Sequence, residues 1–459
     1  MYEATTIAAI ATAIGEGGIG IIRLSGEDAL SVAEKIFQAK GLADLSKAQP
    51  RHMYYGHVMD GDVPVDEGLL VYMKGPHSYT GEDVVELQLH GSMEALREAL
   101  DLSLQNGAVL AGAGEFTKRA FLNGRLDLSQ AEAVMDIIEA SGKAALHQAE
   151  SHLSGALSQY VKKGRDLLKE MIGQLEVTID YPEEDLEDLT HEEIAEGLSA
   201  IDRSLSALLG RSEKGRLIRD GIRTVIAGKP NAGKSSLLNA LLQEERAIVT
   251  DVPGTTRDTI EEIMHIGGVP LVLMDTAGIR DTEDKVEKIG IYRAKESIGK
   301  ADLILLVIDG SEPLAEEDKE LLELVKDKQA LIVLNKNDLP EKTDRKEISN
   351  LSGGKECISL SALSGSGLPL LEQALEKAAG LSGITAGREL FLTNLRHVEA
   401  VREALGAVRR AEESLAQSLP ADCITIDLTE AWNRLGEITG DTIDDELIHT
   451  IFERFCVGK

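Results

Sequence analysis

The feature that most restricts what this chain can fold into is the loop Gly228-Lys-Pro-Asn-Ala-Gly233-Lys234-Ser235, set between an apolar run at 223–227 and a helical run at 236–242. Glycines at both ends let the backbone N–H groups of Asn231, Ala232, Gly233, Lys234, Ser235 and Ser236 close around an anion at a helix N-terminus. The spacing G-x-x-x-x-G-K-[ST] between a strand and a helix is that of a phosphate loop. It sets Lys234 against the β and γ phosphates and the Ser235 hydroxyl against Mg²⁺. A loop of this kind leaves the carboxyl end of a strand and enters a helix, so the surrounding segment is expected to be α/β with a mostly parallel sheet.

Three further signals follow in chain order. Thr250-Asp251-Val252-Pro253-Gly254-Thr255-Thr256 is a loop whose threonines can reach Mg²⁺ only while a γ-phosphate is present, which makes a switch. Asp275-Thr276-Ala277-Gly278 ends an apolar strand, with Asp275 facing Mg²⁺ through water and the Gly278 amide facing the γ-phosphate. Asn335-Lys336-Asn337-Asp338 follows the run 330–334. The Asp338 carboxylate can accept from guanine N1–H and N2–H₂, a donor pair that adenine lacks. Ser361-Ala362 completes the base pocket. Each motif is weak alone, but their order, each at a strand end, identifies a GTP-binding domain. Ile279 follows Gly278 where Ras-like proteins carry the water-orienting Gln, so another group must orient water. Asn231 is open to two readings: a turn residue stabilising the loop, or an oxygen donor that cages a monovalent cation with Thr250, the Val252 carbonyl and Thr255.

The chain has 459 residues, enough for about three domains. Residues 1–120 read as mixed α/β, with strands at 19–24, 68–73 and 84–89 and helices at 27–38 and 93–104. Residues 121–216 carry an apolar stripe at helical spacing from Ala131 to Ile179, broken by Tyr181-Pro182 and an acidic stretch at 183–188. Thr190 with Glu193 fits a capping box. Residues 217–380 alternate strand and helix. Strands are expected near 223–227, 260–266, 269–274, 303–308, 330–334 and 357–360, and Gly267-Gly268 marks a hairpin turn. Residues 381–459 are helical again. The α/β unit thus interrupts two helical regions that together can form one bundle. The fold class is α/β plus all-α.

Asp and Glu number 79 against 48 Lys and Arg, a net charge of −31, and each of the four segments is acidic. Tight, unaided binding of nucleic acid is disfavoured by that balance. Lys162-Lys163-Arg165-Lys169 and Arg409-Arg410 are small basic clusters, either solvated helix faces or contacts to nucleic acid. No apolar run approaches the roughly 18 residues of a membrane span. The start lacks a basic signal region, and the three scattered cysteines read as reduced thiols, so a cytoplasmic location is expected. Gly15-Glu-Gly17-Gly18-Ile-Gly20 formally matches G-x-G-x-x-G, but a strand-like run follows it where a dinucleotide fingerprint needs a helix.

The G-domain features, with Asn231 and the loop Thr250 to Asp258, resemble the potassium-activated GTPases. The remainder is similar to the TrmE (MnmE) family of tRNA-modification GTPases over essentially the whole length. The resemblance rests on Gly17 to Gly26, Tyr79 to Gln88, Gly114 to Asn123, Leu126 to Ala133 and the terminal Cys456-Val-Gly-Lys459. It implies an N-terminal folate-binding α/β domain, a split helical domain and an inserted G domain. It also implies a homodimer joined through the N-terminal domains and an FAD-containing partner, MnmG (GidA), with tRNA as substrate of the complex. The implied reaction places a carboxymethylaminomethyl-type group on carbon 5 of the wobble uridine. The one-carbon donor is a tetrahydrofolate derivative, 5-formyl- or 5,10-methylene-tetrahydrofolate.

By resemblance, Asn231, Thr250, Val252 and Thr255 form a K⁺ cage, Ser235 and Thr256 hold Mg²⁺, and Glu287 orients the attacking water. Lys234, Thr255, Thr256 and Gly278 complete the catalytic set. Arg23, Glu86, Arg125 and Lys459 match the folate contacts, with Arg125 standing where relatives often have Lys. Read as residues alone, Glu287 is a surface acid on a helix and Cys456 a small buried hydrophobe. A competing function, an RNA-binding GTPase of ribosome assembly, would need a basic RNA module that no segment supplies.

Overall fold

The computed structural model describes residues 5–15, 17–180, 191–244, 262–274, 298–378, 380 and 389–459. These form two compact units. One comprises Met1–Met135, His152–Asp202 and Glu403–Lys459; the other comprises Asp136–Ser151 and Arg203–Arg402.

The first unit contains a seven-stranded sheet built from β1 (Ile7–Ile10), β2 (Gly17–Ser25), β3 (Phe37–Ala39), β4 (Met53–Asp60), β5 (Val63–Met73), β6 (Val84–Gly91) and β7 (Val109–Leu110). Its order is β3-β4-β5-β6-β2-β1-β7, antiparallel except for the β1–β7 pair. The residues after Gly20 extend β2 and do not begin a helix, so the G-x-G-x-x-G match is not a dinucleotide site. Inward side chains of the sheet (Ile22, Leu24, Val85, Leu87) meet the apolar stripes of the helices Ala29–Ile36 and Met93–Gln105. The helical part of this unit pairs Ala156–Asp180 with Ala421–Thr439. Around Leu128 and Ala131, the residues Ile448, Phe452 and Phe455 close a smaller aromatic cluster.

The second unit holds β8 (Ile222–Ala227), β9 (Glu262–Ile266), β10 (Val269–Met274), β11 (Leu303–Asp309), β12 (Ala330–Asn335) and β13 (Cys357–Ser359). The order is β13-β12-β11-β8-β10-β9, parallel except for the β9–β10 hairpin. β8 is central, and helices cover both faces. Leu305, Val307, Leu331 and Val333 pack on one side with Leu237, Leu238 and Leu241 of the helix Lys234–Glu244. Ile304, Leu306, Ile332 and Leu334 pack on the other with Leu321 and Leu322 of the helix Glu316–Leu324. Burial on both faces explains why these strands read as continuous aliphatic runs. Gly267 and Gly268 take positive φ, 59° and 81°, in the hairpin turn, as a two-residue connection requires.

The expected switch loops, the break at Tyr181, the acidic stretch 183–188 and Thr190 lie outside the described residues.

Candidate functional site: a phosphate loop beside a base-recognition loop

At the carboxyl end of β8 the chain turns sharply. Gly228 has φ 146° and packs so tightly under Val307 that a Cβ would collide with its carbonyl oxygen. Asn231, exposed, sits in the left-handed region at φ 63°, and Gly233 at φ 96°. A Cβ on Gly233 would strike the Asn335 amide nitrogen, so the second glycine is needed for close approach as well as for its backbone conformation. Lys234 opens the helix and folds back, its Nζ donating to the carbonyls of Gly228 at 2.9 Å and Lys229 at 2.8 Å. Burial lowers the pKa of its ammonium. Ser235 and Ser236 are exposed in the first helical turn, where backbone N–H groups have no partner within the helix.

Asn335, the last residue of β12, joins three segments. Its Nδ2 donates to the Ala232 carbonyl at 2.9 Å, and its Oδ1 accepts from the Ala362 amide at 3.0 Å. With Asn335 and Ser361 both buried, the phosphate loop, the 335–338 loop and the 361–362 turn meet around one side chain. Lys336 turns the chain at φ 66°, its Nζ donating to Asp309 Oδ2 at 2.6 Å, and Asp338 follows, exposed. Thus Asn231, Ala232, Gly233, Lys234, Ser235, Ser236, Asn335, Lys336, Asp338, Ser361 and Ala362 surround one region. Thr250, Asp251, Val252, Pro253, Gly254, Thr255, Thr256, Asp275, Thr276, Ala277, Gly278 and Glu287 lie outside the described residues. The sequence gives no sign of the Asp309 partnership, since nothing in it links an acid ending one apolar run to a lysine after the next.

A second cluster lies in the first unit. Arg23 on β2 and Glu86 on β6 are cross-strand partners, joined by Nε to Oε1 at 2.9 Å. Arg23 Nη1 also donates to the Gly458 carbonyl at 3.2 Å, which brings the C-terminal tail to the sheet. The tail is held by a bridge between Ala113 and Val457 and by the Gly114 amide on the Cys456 carbonyl at 3.3 Å. Lys459 is therefore next to the residue that meets Arg23, while the Cys456 side chain is exposed.

Tyr79 organises this cluster. The Arg23 and Arg125 guanidinium carbons lie 5.5 and 5.0 Å from its ring centroid, within cation–π range, and its hydroxyl meets Thr117 Oγ1 at 2.8 Å. Its loop is pinned by Thr80 to Ser25 at 2.7 Å and by buried Arg119, which donates to Glu82 at 3.1 Å and Glu115 at 2.8 Å. A guanidinium–carboxylate pair and an exposed guanidinium around one aromatic ring suit a planar heterocyclic ligand bearing anionic groups. Tyr79 opens one of the quoted motifs but has no charge or spacing that would mark it.

Among the described residues no group of three or more His, Cys, Asp or Glu could hold a metal ion. Nor is any helix long and apolar enough to cross a membrane.

Two family descriptions match: "GTP-binding protein TrmE N-terminus" over residues 6–125 and "MnmE helical domain" over residues 128–456. The chain is similar to the tRNA modification GTPase MnmE of Clostridioides difficile (strain 630), 48% identical with all of both chains covered. It is equally similar to that of Alkaliphilus metalliredigens (strain QYMF), also 48% identical over the full length of both. The protein of the same name from Bacillus subtilis (strain 168) is 45% identical, covering 99% of this chain and all of that one. Likeness of this extent, over the full length of the chain, establishes that the chain belongs to the MnmE family of tRNA modification GTPases.

Proposed function

We propose that the chain is a potassium-dependent GTPase subunit of a complex that modifies carbon 5 of the wobble uridine in certain tRNAs. The observation that carries the GTP reading is the double hydrogen bond of Asn335, which ties the Ala232 carbonyl of the phosphate loop to the Ala362 amide. Asp338, two residues beyond Lys336, accepts the guanine N1–H and N2–H₂, and Ser361 and Ala362 line the base. Lys234 swings from the Gly228 and Lys229 carbonyls to the β and γ phosphates, exchanging neutral acceptors for anionic ones. Ser235, with Thr256, holds Mg²⁺. Asn231, with Thr250, Val252 and Thr255, holds K⁺; its exposed left-handed backbone at the loop's outer edge supports that role. The two ions supply positive charge where phosphoryl transfer develops negative charge. The Gly278 amide faces the γ-phosphate, and Glu287 orients the attacking water in place of the Gln that Ile279 replaces.

Arg23 and Arg125 on the Tyr79 ring, with Glu86 paired to Arg23 and Lys459 following Gly458, support the binding of a tetrahydrofolate derivative, whose pteridine and carboxylates match a donor–acceptor pair and an exposed guanidinium. The chain acts as a homodimer with the FAD-containing MnmG partner in the cytoplasm. Its organisation is an N-terminal domain, residues 1–120, and a helical domain, 121–216 with 381–459, into which the G domain, 217–380, is inserted.

The decisive experiment is GTP hydrolysis in KCl against NaCl at equal ionic strength, followed by nucleoside analysis of tRNA treated with the chain, its FAD partner and folate. Faster hydrolysis in K⁺ and GTP-dependent wobble modification are expected. Equal rates in both salts remove the cation cage, and modification without GTP removes the coupling.

A further inference from the structure

The last residue of β11 and the segment after it carry acids that the nucleotide site does not use, and they reach in two directions. At its start Asp309 accepts Lys336 Nζ on one oxygen at 2.6 Å, and the Ser311 amide and hydroxyl on the other at 2.9 and 2.6 Å. Lys336 lies in the base-recognition loop. At its end Asp318, in the first turn of the helix Glu316–Leu324, meets Lys229 Nζ at 3.3 Å, and Glu312 meets the same ammonium at 3.4 Å. Lys229 lies in the phosphate loop, and its carbonyl receives Lys234 Nζ.

The second pairing is largely withdrawn from water, with the Asp318 side chain 1% exposed and that of Lys229 12%. Asp318 Oδ2 also accepts the Ala315 amide at 3.1 Å, while its Oδ1 finds no hydrogen-bond partner among the described residues. A carboxylate in that position depends on Lys229, the cation that meets it among the described residues, and removing that cation leaves a poorly compensated charge. Between the two acids, Thr343 Oγ1 donates to the carbonyls of Asp309 at 3.2 Å and Glu312 at 2.7 Å, so the segment is itself fixed.

We propose that segment 309–318 is a brace between the two nucleotide loops: Asp318 positions the phosphate loop through Lys229, and Asp309 positions the base-recognition loop through Lys336. Neither acid touches the nucleotide. Both act by ordering a loop before the ligand arrives, which removes part of the conformational entropy that binding would otherwise lose. Such an effect is the same for ground state and transition state, so it belongs in KM and not in kcat. The proposal rests on the assignment of these loops as the GTP site.

The test is steady-state GTP hydrolysis by the full-length chain, with inorganic tripolyphosphate as a competitor that reports on the phosphate loop alone. For Lys229→Met the KM for GTP rises about tenfold and the tripolyphosphate inhibition constant rises with it, while kcat stays within about twofold. Lys229→Arg restores KM. Asp318→Asn, which keeps the side-chain shape, shifts both constants in the same direction and serves if Lys229→Met does not fold. Asp309→Asn raises the GTP KM more than the tripolyphosphate inhibition constant, because its loop faces the base and reaches the phosphate loop only through Asn335. Unchanged KM in both Lys229→Met and Asp318→Asn, or a kcat loss at constant KM, overturns the brace. If the wild-type chain neither turns over GTP nor responds to tripolyphosphate, the nucleotide site itself is wrong, and the brace falls with it. Wild-type turnover with unmoved variants removes the brace alone.

Discussion

Asp309 feels two opposed influences. Burial pushes its carboxyl up. Hydrogen bonds from Lys336 and Ser311, together with the Lys336 charge, outweigh that and hold it below its ordinary 3.8. A folded-state pKa that is depressed contributes stability that is complete above the ordinary value and is lost as pH falls through the folded one. Thermal unfolding of the wild type is therefore expected to lose midpoint on acidification below about pH 4, with Asp309→Asn falling less steeply over the same range. Parallel curves for the two proteins refute this. The residue also marks where sequence reading stops. Asn335 and Asp338 are legible because one short motif holds both. Asp309 is not, because its partner is 27 positions away and meets it only when β11 and β12 pair in parallel, Asp309 opposite Asn335. Tyr79 is hidden for a similar reason: its role depends on Arg23 and Arg125, which reach it from a distant strand and from the turn after Leu122.

At the scale of elements, the second unit was the more readable one. β11 and β12 are buried on both faces, so each reads as an aliphatic run up to its last residue, and the ends of β8, β10, β11 and β12 fall within a residue of where the sequence places them. The antiparallel sheet of the first unit hid more. β4, Met53–Asp60, exposes Met53 and Tyr55 and carries His57, so no apolar period reveals it, and β1 and β7 are too short to show one. Close approaches between elements are equally silent in sequence. The turn of the β9–β10 hairpin packs against the break before the helix Lys143–Leu153, where the Ala144 amide donates to the Gly268 carbonyl at 3.0 Å. A Cβ on Gly142 would lie 2.6 Å from that carbonyl oxygen and 3.1 Å from Pro270 Cδ, and the oxygen is backbone and cannot swing away. Gly142→Ala is expected to cost about 1–3 kcal/mol as the hairpin shifts outward. Gly173→Ala, in a helix with open space around its Cβ, is the control and should be neutral or stabilising. Equal denaturation midpoints for Gly142→Ala and the wild type would falsify the close-packing argument.

For the whole molecule the governing quantity is its net charge of −31. A basic cluster could in principle offset it locally, but Arg409 and Arg410 are already engaged. Arg409 donates to Asp202 at 2.7 Å, and Arg410 to Asp427 at 2.9 Å and Glu430 at 2.6 Å, which makes them ties within the helical bundle. Arg165 lies over the Trp432 ring at 4.1 Å and pairs with Asp441. Of that cluster Lys162, Lys163 and Lys169 remain exposed on the helix Ala156–Asp180, which also carries Asp166 and Glu170 on its exposed surface. Affinity for nucleic acid scales with the number of phosphates neutralised, and log K falls with log salt in proportion to that number. With Arg165, Arg409 and Arg410 committed to acids and the chain acidic throughout, the chain by itself should bind tRNA no more tightly than about micromolar at physiological salt, with a shallow salt dependence. Adding a partner that supplies a basic surface should both tighten binding and steepen the slope. Nitrocellulose filter binding across a salt series, with and without the partner, measures both quantities. A nanomolar complex of this chain alone, steeply weakened by salt, would mean that a few exposed lysines outweigh the surrounding acids and that the tRNA-gripping surface lies on this subunit.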